Sequence, residues 1–138
     1  MRFMIIVKAT KDSEAGVLPS EKLMSEMQKY HEELRKAGVL LDASGLKPSS
    51  KGWRVKYSGA KRTVIDGPFA EAKELIAGYT IIQVKSREEA MEWARRFPNP
   101  SIDGKGAEIE VRQFFGLEDF APGEAVGRFR EMEIGNKK

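Results

Sequence analysis

The sequence predicts one α+β domain in which two helices cover one face of a four-stranded antiparallel sheet. The chain has 138 residues, of which 41% are apolar and 33% charged, as expected for a single globular domain. Period-2 and helical patterns follow one another in the order strand, helix, strand, hairpin, strand, helix, strand. Because two βαβ-like halves with right-handed crossovers place such elements in one sheet, the predicted fold is ferredoxin-like.

Two segments have the capping and periodicity of helices. Ser20 is the predicted N-cap of the first helix and Gly38 its C-terminal stop. Between them, apolar side chains recur at helical spacing and predict a buried stripe: Leu23, Met24, Met27, Tyr30, Leu34 and Ala37. Ser86 and Glu89 form a capping box that opens the second helix, which ends before residues 98–100. Its predicted buried residues are Ala90, Trp93, Ala94 and Phe97.

Strands are predicted at residues 2–8, from residue 39, at 79–84 and at 107–113, with residues 12–19 as a loop. A hairpin insert is predicted from the alternation of Trp53, Val55 and Tyr57 with basic residues and from a return strand at 62–65. Because the rings share one side of their strand, we expect them to pack inward beneath a solvated basic face.

The hairpin region has an unusual charge. Between Asp42 and Asp66 there is no acid but there are six cations, namely Lys47, Lys51, Arg54, Lys56, Lys61 and Arg62. Basic groups interleaved with aromatic rings are also typical of nucleic-acid binding. The inward packing of the rings and a net charge of only +3 argue against that function. Nucleic acid is therefore not an expected partner.

The predicted sheet is apolar on both faces. Phe3, Ile5 and Val7 point to one side, whereas Met4 and Ile6 point to the other, and the helices cover one side only. A second copy of the chain is the simplest cover for the other face, so a homodimer with sheets packed face to face is predicted. The alternative cover is residues 116–138, but that segment has nine charges and few large apolar side chains.

The composition excludes several classes of site. The chain has no cysteine and a single histidine, His31, so disulfides, thiolate metal sites and multi-histidine metal sites are excluded. No glycine-rich phosphate loop and no nucleophile-elbow motif is present, and neither a metal nor a cofactor is predicted. The apolar run near the N-terminus is too short for a signal peptide or a membrane span, so a cytoplasmic protein without membrane contact is expected.

Residues 65–79 read IDGPFAEAKELIAGY. Asp66, Gly67 and Pro68 predict a turn in which the glycine supplies a positive φ, and Phe69 follows as an apolar plug. This motif, the strand after it, the SREEAMEWA helix and the RFMII opening strand resemble the YCII-related family, in particular its DGPF-domain type. The resemblance implies a dimeric ferredoxin-like α/β barrel with a hairpin/DGPF insert over residues 1–115. It leaves 116–138 as a tail, which we expect to pack on the partner subunit.

The resemblance implies less about activity. Shorter YCII-like proteins have a histidine on the first helix and an aspartate after the second helix, a pair proposed as an active site. Met27 stands at the first of these positions, and residues 97–100 contain no carboxylate. Hydrolase or lactone chemistry is therefore not carried over. DGPF proteins are also sometimes joined to sigma-factor-like transcription proteins, which implies a partner of that kind.

Five residues are candidates for a ligand site, and each has a structural alternative. His31 lies on the flank of the buried helical stripe, where it can face a pocket or be an ordinary boundary histidine. The others stand in or after the motif: Asp66, Phe69, Lys73 and Glu74. Asp66 can equally be a turn former and Phe69 a packing ring. Lys73 and Glu74 can equally be an exposed charged pair.

Three functions follow. The first is a small-molecule binding or sensing homodimer with a cleft near His31. The second is a small enzyme that performs acid–base chemistry with His31 and Asp66. The third is an interaction module that binds a transcription protein through the basic hairpin or the tail. The sequence leaves open whether the protein is an enzyme.

Overall fold

The computed structural model describes residues 1–132. Its strands are β1 (Arg2–Lys8), β2 (Leu40–Gly45), β3 (Trp53–Ser58), β4 (Lys61–Asp66), β5 (Ile76–Gln83) and β6 (Ile109–Gln113). Its helices are α1 (Lys11–Glu14), α2 (Glu21–Lys36), α3 (Arg87–Arg95) and α4 (Glu124–Glu131). Short 3-10 turns lie at Ser49–Lys51, Ala72–Glu74 and Leu117–Asp119. Within residues 1–132, no helix combines the length and hydropathy that a membrane span needs.

Four strands form one antiparallel sheet in the order β2-β5-β1-β6, and β3 and β4 form a separate two-stranded sheet. In the central pairing, Ile5 lies opposite Thr80 on β5 and opposite Val111 on β6. This mixed α/β architecture with antiparallel sheets is compatible with the predicted ferredoxin-like fold. The strand order follows from the two split β-α-β halves. In each half, the helix connects two strands that are separated in the sheet by one strand of the other half.

The core lies on one face of the large sheet. Phe3, Ile5 and Ile82 of the sheet pack with Leu34 of α2 and Ala90 of α3 in one buried cluster. Met4 and Ile6, which alternate with these residues on β1, remain half-buried. The two main helices therefore cover the face that carries Phe3 and Ile5, a choice that the period-2 alternation had left open.

The helix caps agree with the local sequence signals. The Ser20 hydroxyl accepts the Leu23 N–H at 3.1 Å, and the Ser86 hydroxyl accepts the Glu89 N–H at 3.1 Å. Gly38 ends α2 with a φ of 75°, a conformation that glycine adopts without steric cost. Each cap uses residues within four positions of one another, so the sequence alone was enough to predict it.

Two segments differ from the prediction by more than two residues. Residues 12–19 are not wholly loop, since Thr10 caps the single turn α1 by accepting the Ser13 N–H at 3.1 Å. Strand β5 begins at Ile76, three residues earlier than predicted, because Ile76 pairs with Lys8 through an irregularity in the β1–β5 register. Pairing with β1 thus extends a strand whose first residues had no strand pattern of their own.

The buried stripe of α2 is shorter than predicted. Tyr30 and Leu34 are buried, but Met24 is 52% exposed and Ala37 is exposed. The first turns of α2 border an open cavity rather than the sheet, which leaves Met24 at the cavity rim. Helical spacing correctly identified the inward face but not the point at which the helix leaves the core.

The predicted inward packing of the hairpin rings is wrong. Trp53 and Tyr57 are each 66% exposed, and every residue of β3 and β4 is exposed. The alternation is present, but the hairpin is a sheet of its own with no core layer beneath it. Trp53, Val55 and Tyr57, together with Val64 opposite Val55, form an exposed apolar stripe, called here the hairpin stripe.

The segment after β6 contains more structure than a tail. Leu117 is buried in a 3-10 turn, and α4 follows it. Four large apolar side chains of this segment are nevertheless exposed, namely Phe115, Phe120, Phe129 and Met132. The predicted tail, residues 116–138, includes residues 133–138, which lie outside the described residues.

Tyr30 fastens α2 to α3 and makes stability depend on pH. Its hydroxyl donates to the Trp93 carbonyl oxygen at 2.7 Å, and burial raises the pKa of Tyr30 well above its ordinary value near 10.0. In the unfolded chain this phenol ionises near pH 10, whereas in the folded chain it stays protonated. The unfolded state then binds fewer protons than the folded state, so the free energy of unfolding should fall as the pH rises above about 10.

We expect Tyr30→Phe to lower the free energy of unfolding at pH 7 by about 1 kcal/mol, because one buried hydrogen bond is lost. The variant should also lose less stability than the wild type between pH 9 and 11. Urea unfolding at both pH values measures the difference. Tyr57→Phe lies outside the core cluster and keeps the ring of the hairpin residue, so it is the matched control and should follow the wild type at each pH. An unchanged alkaline slope in Tyr30→Phe would contradict this assignment.

Candidate functional site

A cavity of about 660 Å³ lies between α2 and the adjoining ends of β2 and β5. Its inner wall combines apolar groups with one polar pair, from Met27, His31, Ala43, Gly78, Thr80 and Phe97. Its rim is formed by the loop after α1 and by the segment after β2, and includes Val17, Leu18, Leu46 and Lys47. The volume falls within the range of about 300–1,000 Å³ that is typical of small-molecule sites.

His31 is held in one orientation by hydrogen bonds to both ring nitrogens. Nδ1 lies 2.7 Å from the Met27 carbonyl oxygen, and Nε2 lies 2.8 Å from Thr80 Oγ1. Because a carbonyl oxygen only accepts, Nδ1 carries a proton, and in the neutral imidazole the Thr80 hydroxyl donates to Nε2. His31 and Thr80 are therefore a hydrogen-bonded pair, called here the preset His31–Thr80 pair because its orientation is fixed, in an otherwise apolar wall.

Aromatic contacts also restrain the His31 ring. Tyr30 meets it edge-on with centroids 5.4 Å apart, and Phe97 does so at 6.1 Å. Tyr30 and Phe97 are themselves 5.1 Å apart, so the three rings pack as one group between the two main helices. This packing already limits rotation of the His31 side chain, so less conformational entropy is lost when a ligand binds there.

The DGPF turn packs against the 3-10 turn at Ser49–Lys51. A Cβ atom on Gly67 would lie 1.9 Å from the Ser49 carbonyl oxygen, so only glycine fits there. The Gly67 N–H donates to the Gly52 carbonyl oxygen at 3.0 Å, and the Phe69 N–H donates to Ser49 Oγ at 3.0 Å. The positive φ predicted for Gly67 is wrong, because the glycine is needed for close backbone approach.

Ser49 connects this turn to the rim of the cavity. Its N–H donates to Glu14 Oε2 at 2.9 Å, and its hydroxyl donates to Glu14 Oε1. Glu14 ends α1 and directly follows Ser13, a cavity residue. The loop at the cavity rim and the DGPF turn are thus joined through one serine.

Of the five residues predicted for the ligand site, His31 lines the cavity and the other four do not. Asp66 is exposed at the end of β4, opposite Trp53, and the structure does not join it to His31. Phe69 is half-buried beneath the Arg54 guanidinium, 3.8 Å from the ring centroid, and so packs structurally. Lys73 and Glu74 are exposed in a 3-10 turn and form no ion pair with each other.

Three residues of the site were missed. Thr80 is a polar residue on the inward face of a strand and is 2% exposed, so its place in the alternation of β5 was an available signal. A hydroxyl buried there needs a partner, which His31 supplies. Ser49 and Glu14 had no local signal, because their contacts join segments 35 and 20 residues apart in the chain.

In the described part of the chain, no group of three or more His, Asp or Glu side chains could hold a metal ion. The polar side chains that face the cavity include the hydrogen-bonded pair of His31 and Thr80. They suit hydrogen bonding to an organic ligand.

Comparisons with known proteins identify relatives. The family model of the YCII-related domain matches residues 1–115. An uncharacterised protein of Rhizobium meliloti (strain 1021) is 32% identical over 104 residues, which cover 75% of this chain and 80% of that protein. A solved structure of 5-chloro-2-hydroxyhydroquinone dehydrochlorinase from Burkholderia phenoliruptrix AC1100, in complex with 2,5-dihydroxybenzoquinone, aligns with a TM-score of 0.46 and 12% identity. That alignment covers 88% of this chain and 100% of the other.

Proposed function

The chain belongs to the YCII-related domain family, and from this premise we propose that it is a homodimeric domain that binds a small, largely apolar molecule in the cavity at His31. The observation that carries the proposal is the cavity of about 660 Å³ with the preset His31–Thr80 pair in its wall. Apolar walls supply binding free energy by removing ligand surface from water, and a single fixed polar pair orients the ligand.

Ligand binding fits the geometry better than the acid–base reaction predicted for His31 and Asp66. Acid–base catalysis needs a base within hydrogen-bond reach of the substrate, and His31 Nε2 is engaged by Thr80. The Thr80 hydroxyl is also too deeply buried to act as a readily accessible nucleophile. Binding requires neither group to leave its partner.

Ala43 offers a way to fill the cavity. It pairs with Thr80 across β2 and β5 and therefore shares the cavity side of the sheet. We expect Ala43→Trp to weaken binding of the uncharged fluorescent probe N-phenyl-1-naphthylamine by about tenfold or more, because the indole occupies the space that the probe needs. Fluorescence titration of the purified protein measures the dissociation constant.

Gln113→Trp, on the exposed end of β6, adds the same side chain outside the cavity and should bind the probe as the wild type does. Urea unfolding of both variants establishes that they are folded. The proposal fails if the wild type does not bind the probe, or if the folded Ala43→Trp variant binds it with unchanged affinity.

Two surfaces of the described chain support the homodimer. The sheet face that carries Met4 and Ile6 is only half-buried, and the hairpin stripe is exposed. A two-stranded hairpin is marginally stable by itself, so a surface that covers the stripe would also stabilise the hairpin. Large exposed apolar patches of this kind are typical of protein interfaces.

Charge favours a second copy as the partner. Six of the 24 Lys and Arg lie in the acid-free region between Asp42 and Asp66, and the other 18 meet 21 Asp and Glu. The rest of the chain thus has a balance of −3, opposite in sign to the hairpin. In a symmetric dimer, each hairpin would meet the acidic remainder of the other copy, which favours association.

A further inference from the structure

The cavity lining has a charge asymmetry that the sequence did not reveal. Among residues 1–132, the lining has one permanently charged side chain, Lys47, and no Asp or Glu. In a chain with 21 acids, a cavity lined by one lysine and no carboxylate favours an anionic over a cationic ligand.

Lys47 is available to a ligand. Among the described residues it has no ion-pair partner. It lies at the rim, between Leu46, whose N–H donates to the Ala77 carbonyl oxygen at 2.7 Å, and Pro48. The chain is therefore anchored to β5 next to Lys47, and Lys47 is an exposed residue at the cavity rim.

The carboxylates near the cavity are engaged elsewhere. Glu14 accepts the N–H and the hydroxyl of Ser49. Asp42 accepts the Tyr79 hydroxyl at 3.0 Å and the Ala43 N–H at 2.9 Å. Neither carboxylate lines the cavity, so an anion bound against Lys47 would not contact either of them.

We propose that the ligand is an amphipathic organic anion whose apolar body lies against the His31–Thr80 wall and whose carboxylate, sulfonate or phenolate meets Lys47 at the rim. This inference rests on the proposed function and adds the ligand's charge. A cationic ligand would find no counter-ion in the lining and would be repelled by Lys47. An anion at the rim keeps part of its hydration while pairing with the ammonium group.

Two probes with the same apolar body test the inference. 8-Anilino-1-naphthalenesulfonate has a sulfonate that N-phenyl-1-naphthylamine lacks. We expect Lys47→Ala to weaken binding of the sulfonate probe about fivefold, as for the loss of a partly exposed charge pair, and Lys47→Glu to weaken it further. Both variants should bind the uncharged probe within about twofold of the wild type.

Lys51→Ala is the matched control, since Lys51 is an exposed lysine of the same basic segment outside the cavity lining. It should leave both affinities unchanged, and urea unfolding should show that all variants are folded. The inference is overturned if Lys47→Ala leaves the sulfonate probe unaffected or weakens both probes equally. If the wild type binds only the uncharged probe, the inference fails and the proposed function stands. If the wild type binds neither probe, the inference and the proposed function are both overturned.

Discussion

Replacing Gly67 by alanine is expected to lower the free energy of unfolding by about 2–4 kcal/mol. The new Cβ atom would lie 1.9 Å from the carbonyl oxygen and 2.7 Å from the carbonyl carbon of Ser49. Backbone cannot move aside as a flexible side chain can, so the DGPF turn must separate from the Ser49 turn. That separation removes the hydrogen bonds from the Gly67 N–H to Gly52 and from the Phe69 N–H to Ser49.

Urea unfolding compares Gly67→Ala with Gly106→Ala, a glycine whose added Cβ would meet no atom within 4 Å. The control should remain within about 0.5 kcal/mol of the wild type, as is usual for surface substitutions. Ser49→Ala should have an intermediate effect, because it removes the hydroxyl that joins Glu14 and Phe69 but introduces no clash. A Gly67→Ala protein as stable as the control would show that the two turns do not pack as described.

Removing the rings of the hairpin stripe is expected to convert a dimer into a monomer. Trp53 and Tyr57 are each 66% exposed on the same side of β3, and Val64 on β4 is 65% exposed beside them. Aromatic residues at the centre of an interface commonly cost 2 kcal/mol or more when truncated, so the double variant Trp53→Ser, Tyr57→Ser should dissociate at micromolar concentration. Light scattering coupled to size-exclusion chromatography measures the mass.

The opposite side of the same hairpin provides the control. Thr63→Ser with Ile65→Ser removes apolar atoms from that side without a change in charge, and it should leave the dimer intact. Concentrated salt should weaken the wild-type dimer, because it screens the attraction between the basic hairpin and the acidic remainder. A monomeric wild type would contradict the dimer and leave the stripe to a sigma-factor-like protein. Salt-sensitive binding of an oligonucleotide by a monomer would instead assign it to nucleic acid.

The sequence was most informative where a structural feature depends on neighbouring residues. Ser20, Ser86 and Gly38 predicted the helix ends because each acts on backbone groups within one helical turn. Alternation along β1 separated the covered face at Ile5 from the half-buried face at Ile6. The same alternation misled at Trp53, because a period of two indicates that a strand has two unlike sides and not which side meets a core.

The candidate site was predicted only in part for a related reason. Helical geometry placed His31 on the flank of the apolar stripe, where it could face a pocket or be a boundary residue, and in the structure it lines a cavity. For the acid–base hypothesis, its partner was expected at Asp66, a carboxylate of the distinctive motif at residues 65–79. The actual partner, Thr80, lies 49 residues from His31 and reaches it only because β5 runs beneath α2.

The sequence by itself determined the order of elements, the helix caps, the alternation of β1 and the YCII-related family, since all of these reside in local patterns. Only the tertiary structure decided that His31 pairs with Thr80, that Gly67 is needed for contact with Ser49, and that Lys47 is the one charged side chain at a carboxylate-free cavity. The physical reason is that each of these contacts joins segments distant in the chain. These contacts depend on complementary shape and charge between distant segments, and such complementarity produces no periodicity or spacing in the sequence.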